Sequence, residues 1–232
     1  MAVQYSVDPQ SFPGWDGTIA GARRLQQTLA AQVRLADAFA TPLRLIAGLD
    51  VGFESQGRIT RAVAILLDAE SLEVLAEILV RRPTSMPYIP GLLSFRELPA
   101  LRQALDELPQ RPDLLFVDGQ GIAHPRRLGI AAHLGVAVDL PSIGVAKTLL
   151  VGAAGPLGER RGDRVELLDQ GEQLGWMLRS RERVRPLVIS PGHRVSLASA
   201  PDLVMRYVTR YRLPEPTRLA DRLASRRAPG MR

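Results

Sequence analysis

The sequence predicts an α/β protein with a mixed sheet flanked by helices, and three observations carry that expectation. Apolar runs at 43–53, 62–67 and 74–80 follow one another across short turns, the spacing of an antiparallel three-stranded meander. Leu114-Leu115-Phe116-Val117-Asp118 and Ser142-Ile143-Gly144-Val145-Ala146-Lys147 are apolar runs with little alternation, as expected of strands buried on both faces. Helical patterns at 95–108 and 128–134 separate these later strands, which puts helices on the faces of the sheet.

Taken in order, residues 1–20 are rich in Pro, Gly and polar side chains and read as an N-terminal arm. Leu25, Leu29, Val33, Ala36 and Ala40 recur at helical spacing, predicting a helix over 22–40 that Thr41-Pro42 stops. In the first strand, Leu43, Leu45, Ala47, Leu49, Val51 and Phe53 form one face, and Ile46, Gly48, Asp50 and Gly52 the other. A strand glycine often marks a place where something approaches the backbone, so Gly48 and Gly52 read as clearing space around Asp50. Residues 83–91 form a loop holding Pro87-Tyr88-Ile89-Pro90-Gly91. The helix at 95–108 buries Leu98, Leu101, Ala104, Leu105 and Leu108, and 152–164 is loop-like. Residues 176–179 and 186–190 predict a late hairpin, and helices over 197–211 and 217–227 close a single domain spanning 1–232.

Length and composition are those of an ordinary soluble globular protein, with 232 residues, 46% hydrophobic and 23% charged. No apolar run approaches the roughly 18 residues of a membrane span, and the N-terminus lacks a signal-peptide pattern, so the cytoplasm is the expected location. The absence of cysteine excludes disulfides, thiolate metal sites and a cysteine nucleophile. The formal charge is +6, and the basic helical C-terminus, 206–232, holds eight arginines against Glu215 and Asp221. This segment suits either a solvated helix face or a polyanion, and Tyr207 and Tyr211 among its arginines tilt it toward nucleic acid. Of 30 basic residues, Lys147 alone is lysine, which suggests a position that needs a compact ammonium.

Several residues sit where chemistry is expected. A carboxylate in mid-strand is costly to bury unless a cation meets it, which makes Asp50 a candidate metal ligand. Asp118 ends a buried strand, where open α/β sheets bind ligands; its competing reading is a turn aspartate before Gly119. Glu97 reads either as half of a capping box with Ser94 or as a site carboxylate. His193 follows a late strand, His124 stiffens a loop and His133 reads as core. Asp50, Glu97, Asp118 and His193 together would suit hard divalent cations in phosphoryl chemistry, with Lys147 neutralising phosphate charge. Tyr88, locked between prolines, suits a wedge between bases or a loop folded on the core.

The chain resembles the bacterial endonuclease V (deoxyinosine 3′-endonuclease) family. The resemblance runs through Gly48-Leu49-Asp50-Val51-Gly52-Phe53, Met86-Pro87-Tyr88-Ile89-Pro90-Gly91, Phe116-Val117-Asp118-Gly119 and Gly121-Ile122-Ala123-His124-Pro125-Arg126-Arg127. It continues through Ile143-Gly144-Val145-Ala146-Lys147, Gly192-His193-Arg194 and Leu213-Pro214-Glu215-Pro216-Thr217-Arg218. It implies a ribonuclease H-like fold and Mg2+, with Mn2+ able to stand in, held by Asp50 and Asp118. Glu97, Lys147 and His193 would complete the catalytic set, with Glu97 and His193 as candidates for a second metal. Tyr88, flanked by Pro87, Ile89 and Pro90, would be the DNA wedge, and Gly91, Gly119, His124, Ile130 and Leu150 would line the lesion pocket. Gln120 stands where relatives are expected to carry His or Asn. The implied reaction is hydrolysis of the second phosphodiester 3′ to deoxyinosine in DNA by a monomer.

Inosine-bearing RNA is an alternative substrate. Two other classes compete. Gly48-Leu49-Asp50-Val51-Gly52 also resembles the first phosphate loop of actin-like sugar kinases, although the second phosphate and adenosine motifs are missing. A non-catalytic nucleic-acid module would explain the basic C-terminus but not the acids.

Overall fold

Strand β1 (Leu45–Glu54) lies at the junction between the antiparallel and parallel parts of the sheet. The computed structural model describes residues 12–226, so most of the expected N-terminal arm and the last residues of the basic C-terminus lie outside the described residues. On one side of β1, β2 (Ile59–Asp68) and β3 (Val74–Pro83) add on as the antiparallel meander that the short turns predict. On the other side, β4 (Leu114–Asp118) and β5 (Ser142–Ala146) run parallel to it. β6 (Ala153–Ala154), β7 (Arg164–Asp169), β8 (Glu172–Leu178) and β9 (Leu187–His193) complete the order β3-β2-β1-β4-β5-β9-β8-β7-β6. The meander followed by parallel strands is the ribonuclease H-like mixed sheet that was expected.

Helices α1 (Ile19–Ala30), α2 (Leu93–Asp106) and α3 (Ile130–Val138) cover one face. Their core joins Ala47 and Leu49 of β1 to Phe95, Leu98 and Leu134, with Phe95 stacked on Phe12 at 4.7 Å between ring centroids. Helices α4 (Ser199–Arg206) and α5 (Glu215–Ala224) cover the other, where Ile46, Phe116 and Val145 meet Val204, Leu219 and Ala220. Both faces of β1 and β4 are therefore buried, which explains their near-continuous apolar sequence. Each large side chain so buried is worth about 1.5–3 kcal/mol.

Two departures from the sequence reading are informative, beside a helix expected over 197–211 that ends at Arg206. The helix expected over 22–40 stops at Ala30. Thr18 caps its start, accepting from the Gly21 amide at 2.9 Å. Beyond Ala30 the backbone turns to partners after β9: Ala38 donates to the Arg194 carbonyl and Arg194 to that of Arg34. These long-range bonds override the helical spacing of Val33, Ala36 and Ala40. The second departure is β7, which pairs with β8 near the sheet edge. Of its two inward apolar residues, Val165 and Leu167, only Leu167 is fully buried, so the strand carries little hydrophobic signal.

Candidate active site

β1 and β4 pair in parallel up to Leu49 opposite Val117. Asp50 and Asp118, each one residue further on, therefore emerge side by side where that pairing ends. The neighbouring strand β5 sets Val145 opposite Asp118, so Lys147 follows on the same face two residues later. Strand register alone thus assembles two carboxylates and an ammonium.

A third carboxylate comes from α5. A Cβ on Gly48 would stand 1.9 Å from the Pro216 carbonyl oxygen, and one on Gly52 would stand 2.5 Å from that of Ala224. The two glycines do clear space beside Asp50, and the backbone of α5 fills it. Packed this closely, the helix delivers Asp221, and one oxygen from each of Asp50, Asp118 and Asp221 lies within 4.8 Å of the others. Asp221 is absent from the expected set. Its signal is that of one of only two acids within the arginine-rich 206–232, three residues after the Leu213–Arg218 block.

Lys147 ties the cluster together, donating from Nζ to Asp118 at 2.5 Å and to Asp221 at 2.7 Å. Arg212 holds the backbone behind it, donating to the carbonyls of Lys147 at 3.1 Å and Pro186 at 2.7 Å. Gln120 reaches across to the Thr148 carbonyl at 2.9 Å, linking the turn after Asp118 to the turn after Lys147.

Glu97 is buried in the second turn of α2, and the capping-box alternative does not hold. The helix begins at Leu93 after a Leu92 N-cap, so Ser94 is inside it, and its hydroxyl meets His133 Nδ1 at 2.9 Å. Desolvation, and then the charges of Asp50 and Asp118, push Glu97 up to about 8. Burial, then Asp118, push Asp50 up to about 8 as well, against the Val51 amide that donates to it. Burial also raises Asp118, although Lys147 opposes the shift. Lys147 is raised by its two carboxylate partners despite the cost of its own desolvation. Crowded carboxylates that hold protons so far above their usual range, set among hard oxygen donors, suit a hard divalent cation.

His193 does not join this cluster, contrary to expectation. It pairs with Ser142 at the opposite end of β5 from Ala146. Its Nδ1 accepts from the Arg34 amide at 3.3 Å, and its Nε2 lies 3.2 Å from Asp139 Oδ1. The antiparallel run of β9 carries it away from the acids, and it serves the turn after α1 instead.

Tyr88 is 62% exposed, at the tip of a loop that Met86 and Ile89 anchor to the core. Pro87 and Pro90 flank that tip and are exposed. Behind it, the Gly91 carbonyl accepts from Gln26 at 3.0 Å and from Arg126. His124 approaches the Gly91 backbone, and burial, with the nearby arginines, lowers it to about 4. Gly119, at φ +137°, lies so close to Ile130 that a Cβ would fall 2.6 Å from Ile130 Cγ2. The structure therefore brings Gly91 to His124 and Gly119 to Ile130, while Leu150 stands 52% exposed beyond Lys147.

The family model for Endonuclease V matches residues 27–222. A relative from Azotobacter vinelandii, Endonuclease V, is 72% identical over 217 residues, covering 94% of this chain and 98% of the relative. The crystal structure of Endonuclease V from Streptomyces avermitilis superposes with a TM-score of 0.85 at 41% identity, covering 91% of this chain and 93% of that one. Endonuclease V from Ciona intestinalis, solved with a 24mer DNA containing an inosine followed by a ribo-adenosine, has a TM-score of 0.78 at 25% identity, covering 89% and 95%.

Proposed function

Because this chain belongs to the endonuclease V family, we propose that it is a Mg2+-dependent repair nuclease for deaminated bases in DNA, chiefly deoxyinosine. It hydrolyses the second phosphodiester 3′ to the lesion and leaves the lesion in the nicked strand. It acts as a cytoplasmic monomer of one domain. The observation that carries the reading is the convergence of Asp50, Asp118 and Asp221 within 4.8 Å, from two strands and a helix. The inosine-containing DNA bound by the Ciona relative supports the choice of lesion.

Asp50, Asp118 and Asp221 would hold the ion, with Glu97 beside them. A bound Mg2+, or Mn2+ in its place, lowers the pKa of water and offsets charge developing on phosphate. Lys147 keeps Asp118 and Asp221 oriented and places a positive charge where phosphate oxygens arrive. Glu97, buried beside these acids, would serve as a proton acceptor. Tyr88 enters the gap left by the extruded base, while Gly91, Gly119, His124, Ile130 and Leu150 receive it. Deamination weakens the base pair and lowers the cost of that extrusion.

The test is a duplex carrying one deoxyinosine, incubated with and without Mg2+ and resolved beside a sequencing ladder. The reading expects a single nick, at the second bond 3′ to inosine, and none in the adenine control. ATP turnover without DNA, or binding without nicking, would favour the kinase-like and non-catalytic readings respectively. The ribo-adenosine after the inosine in the Ciona complex favours a second reading, in which inosine-bearing RNA is also cut. An RNA strand of the same sequence, run in parallel, decides it.

A further inference from the structure

We propose that an arginine ridge leading away from Lys147 binds the phosphate backbone of the duplex on the 3′ side of the nick. The inference rests on the nuclease reading above. Residues 179–186 carry four arginines against Glu182, and 206–213 carry three with no acid. These two segments are zipped to each other: Arg181 donates to the Arg210 carbonyl, Ser180 donates to that of Arg212 at 2.6 Å, and Arg212 donates to that of Arg185 at 2.7 Å. Since Arg212 also donates to the Lys147 carbonyl, the ridge starts at the catalytic cluster.

The backbone carbonyls occupy the inner arginines, and the outer ones are left for a ligand. Arg183, Arg185 and Arg210 are exposed, and so is Tyr211, which lies against the guanidinium groups of Arg210 and Arg218. Elsewhere on this face, Arg164 is paired with Asp202 and Arg218 with Glu215. Clustered exposed guanidinium groups with an aromatic among them suit a phosphodiester backbone rather than a single anion.

Direction follows from the two faces of the sheet. Gly91 precedes α2 and Ile130 opens α3, so the proposed lesion pocket lies on the α1–α3 face. The ridge lies between β8 and β9 and between α4 and α5, on the other face. A strand that leaves its lesion in the pocket and crosses the carboxylates two bonds later emerges on the ridge.

The test compares wild type with the triple variant Arg183→Gln, Arg185→Gln, Arg210→Gln, by salt-titrated fluorescence anisotropy on two inosine duplexes. One has long flanks, and the other ends just 3′ of the nick. Each phosphate contact contributes about 0.9 to the salt slope, so the variant should lose roughly 2–3 from its slope on the long duplex and almost nothing on the short one. Its preference for inosine over adenine should be unchanged. An unchanged slope on the long duplex, or an equal loss on both, overturns the ridge. Wild-type protein that leaves inosine duplexes uncut overturns the nuclease reading instead.

Discussion

Lys147 Nζ sits between Asp118 and Asp221, 2.5 Å from one carboxylate and 2.7 Å from the other, and so couples the end of β4 to α5. An arginine could keep the charge but not this placement, since its planar fork needs more room than an ammonium. Lys147→Arg and Asp221→Ala should each reduce nicking on the order of a hundredfold, the usual cost of removing one preorganised electrostatic group. Single-turnover nicking with saturating enzyme is the measurement. Full activity in Asp221→Ala would remove that residue from the metal set.

Gly48 controls the same cluster from below. The atom a methyl group would strike at Gly48 is a backbone oxygen of α5, which cannot rotate aside. Gly48→Ala should therefore push α5 off the sheet, costing about 1–3 kcal/mol, a few degrees in Tm, and displacing Asp221 enough to lower nicking. Gly155→Ala, where a Cβ meets only Val165 Cγ2 at 3.8 Å, is the control and should change neither. A Gly48→Ala protein with wild-type Tm would show that the contact is not as tight as described.

The contrast between Gly48 and Asp221 shows how far the sequence could be read. The period-two pattern of β1 and the unbroken runs of β4 and β5 are local signals, so the mixed sheet and the pairing of Asp50 with Asp118 were legible. Gly48 could be recognised as a close approach, yet nothing local says what approaches. The answer is a helix 168 residues further along the chain, and with it comes Asp221. His193 failed for the complementary reason: its Gly-His-Arg block resembles a site motif, but its place follows from the antiparallel direction of β9. The early end of α1 and the edge strand β7 were likewise decided by partners distant in sequence.

The acids also set a pH dependence. Asp50 and Glu97, raised to about 8, contribute stability that is full below their unfolded values near 4 and is lost as pH rises through 8. His124 and His133, lowered to about 4 and about 3 by burial, act oppositely, and their gain is complete once pH passes 6.5. Metal-free protein should therefore be most stable at or below about pH 6.5 and lose Tm from there toward pH 8. Glu97→Gln should flatten that alkaline limb, and Mg2+ should raise Tm more at pH 8 than at pH 6. Thermal melts in a chelator across this range give the answer, and a Tm still rising at pH 8 would contradict the assignment.

Tyr88 is mostly exposed, and its loop is held by Met86 and Ile89 rather than by the ring. Tyr88→Ala should leave Tm within about 1 °C, as surface substitutions usually do, and weaken binding to an inosine duplex by roughly tenfold. Tyr88→Phe should bind as wild type, because a wedge needs the ring and not the hydroxyl. Loss of Tm in the alanine variant would mean that the loop depends on the ring for its fold.

His193 separates a structural role from a catalytic one. Removing its ring leaves the Arg34 amide without its acceptor and opens a space beside Ser142, on a residue that is 3% exposed. An unsatisfied buried group costs about 1–3 kcal/mol, so His193→Ala should lower Tm by several degrees. The nicking rate per folded molecule, measured well below that Tm, should stay within about twofold of wild type, since the ring lies at the far end of β5 from Lys147. His193→Asn, which offers a shorter acceptor, should recover part of the stability and behave identically in nicking. A large loss of nicking in folded His193→Ala protein would return the histidine to the catalytic set and require the β9 end of the sheet to reach the acids.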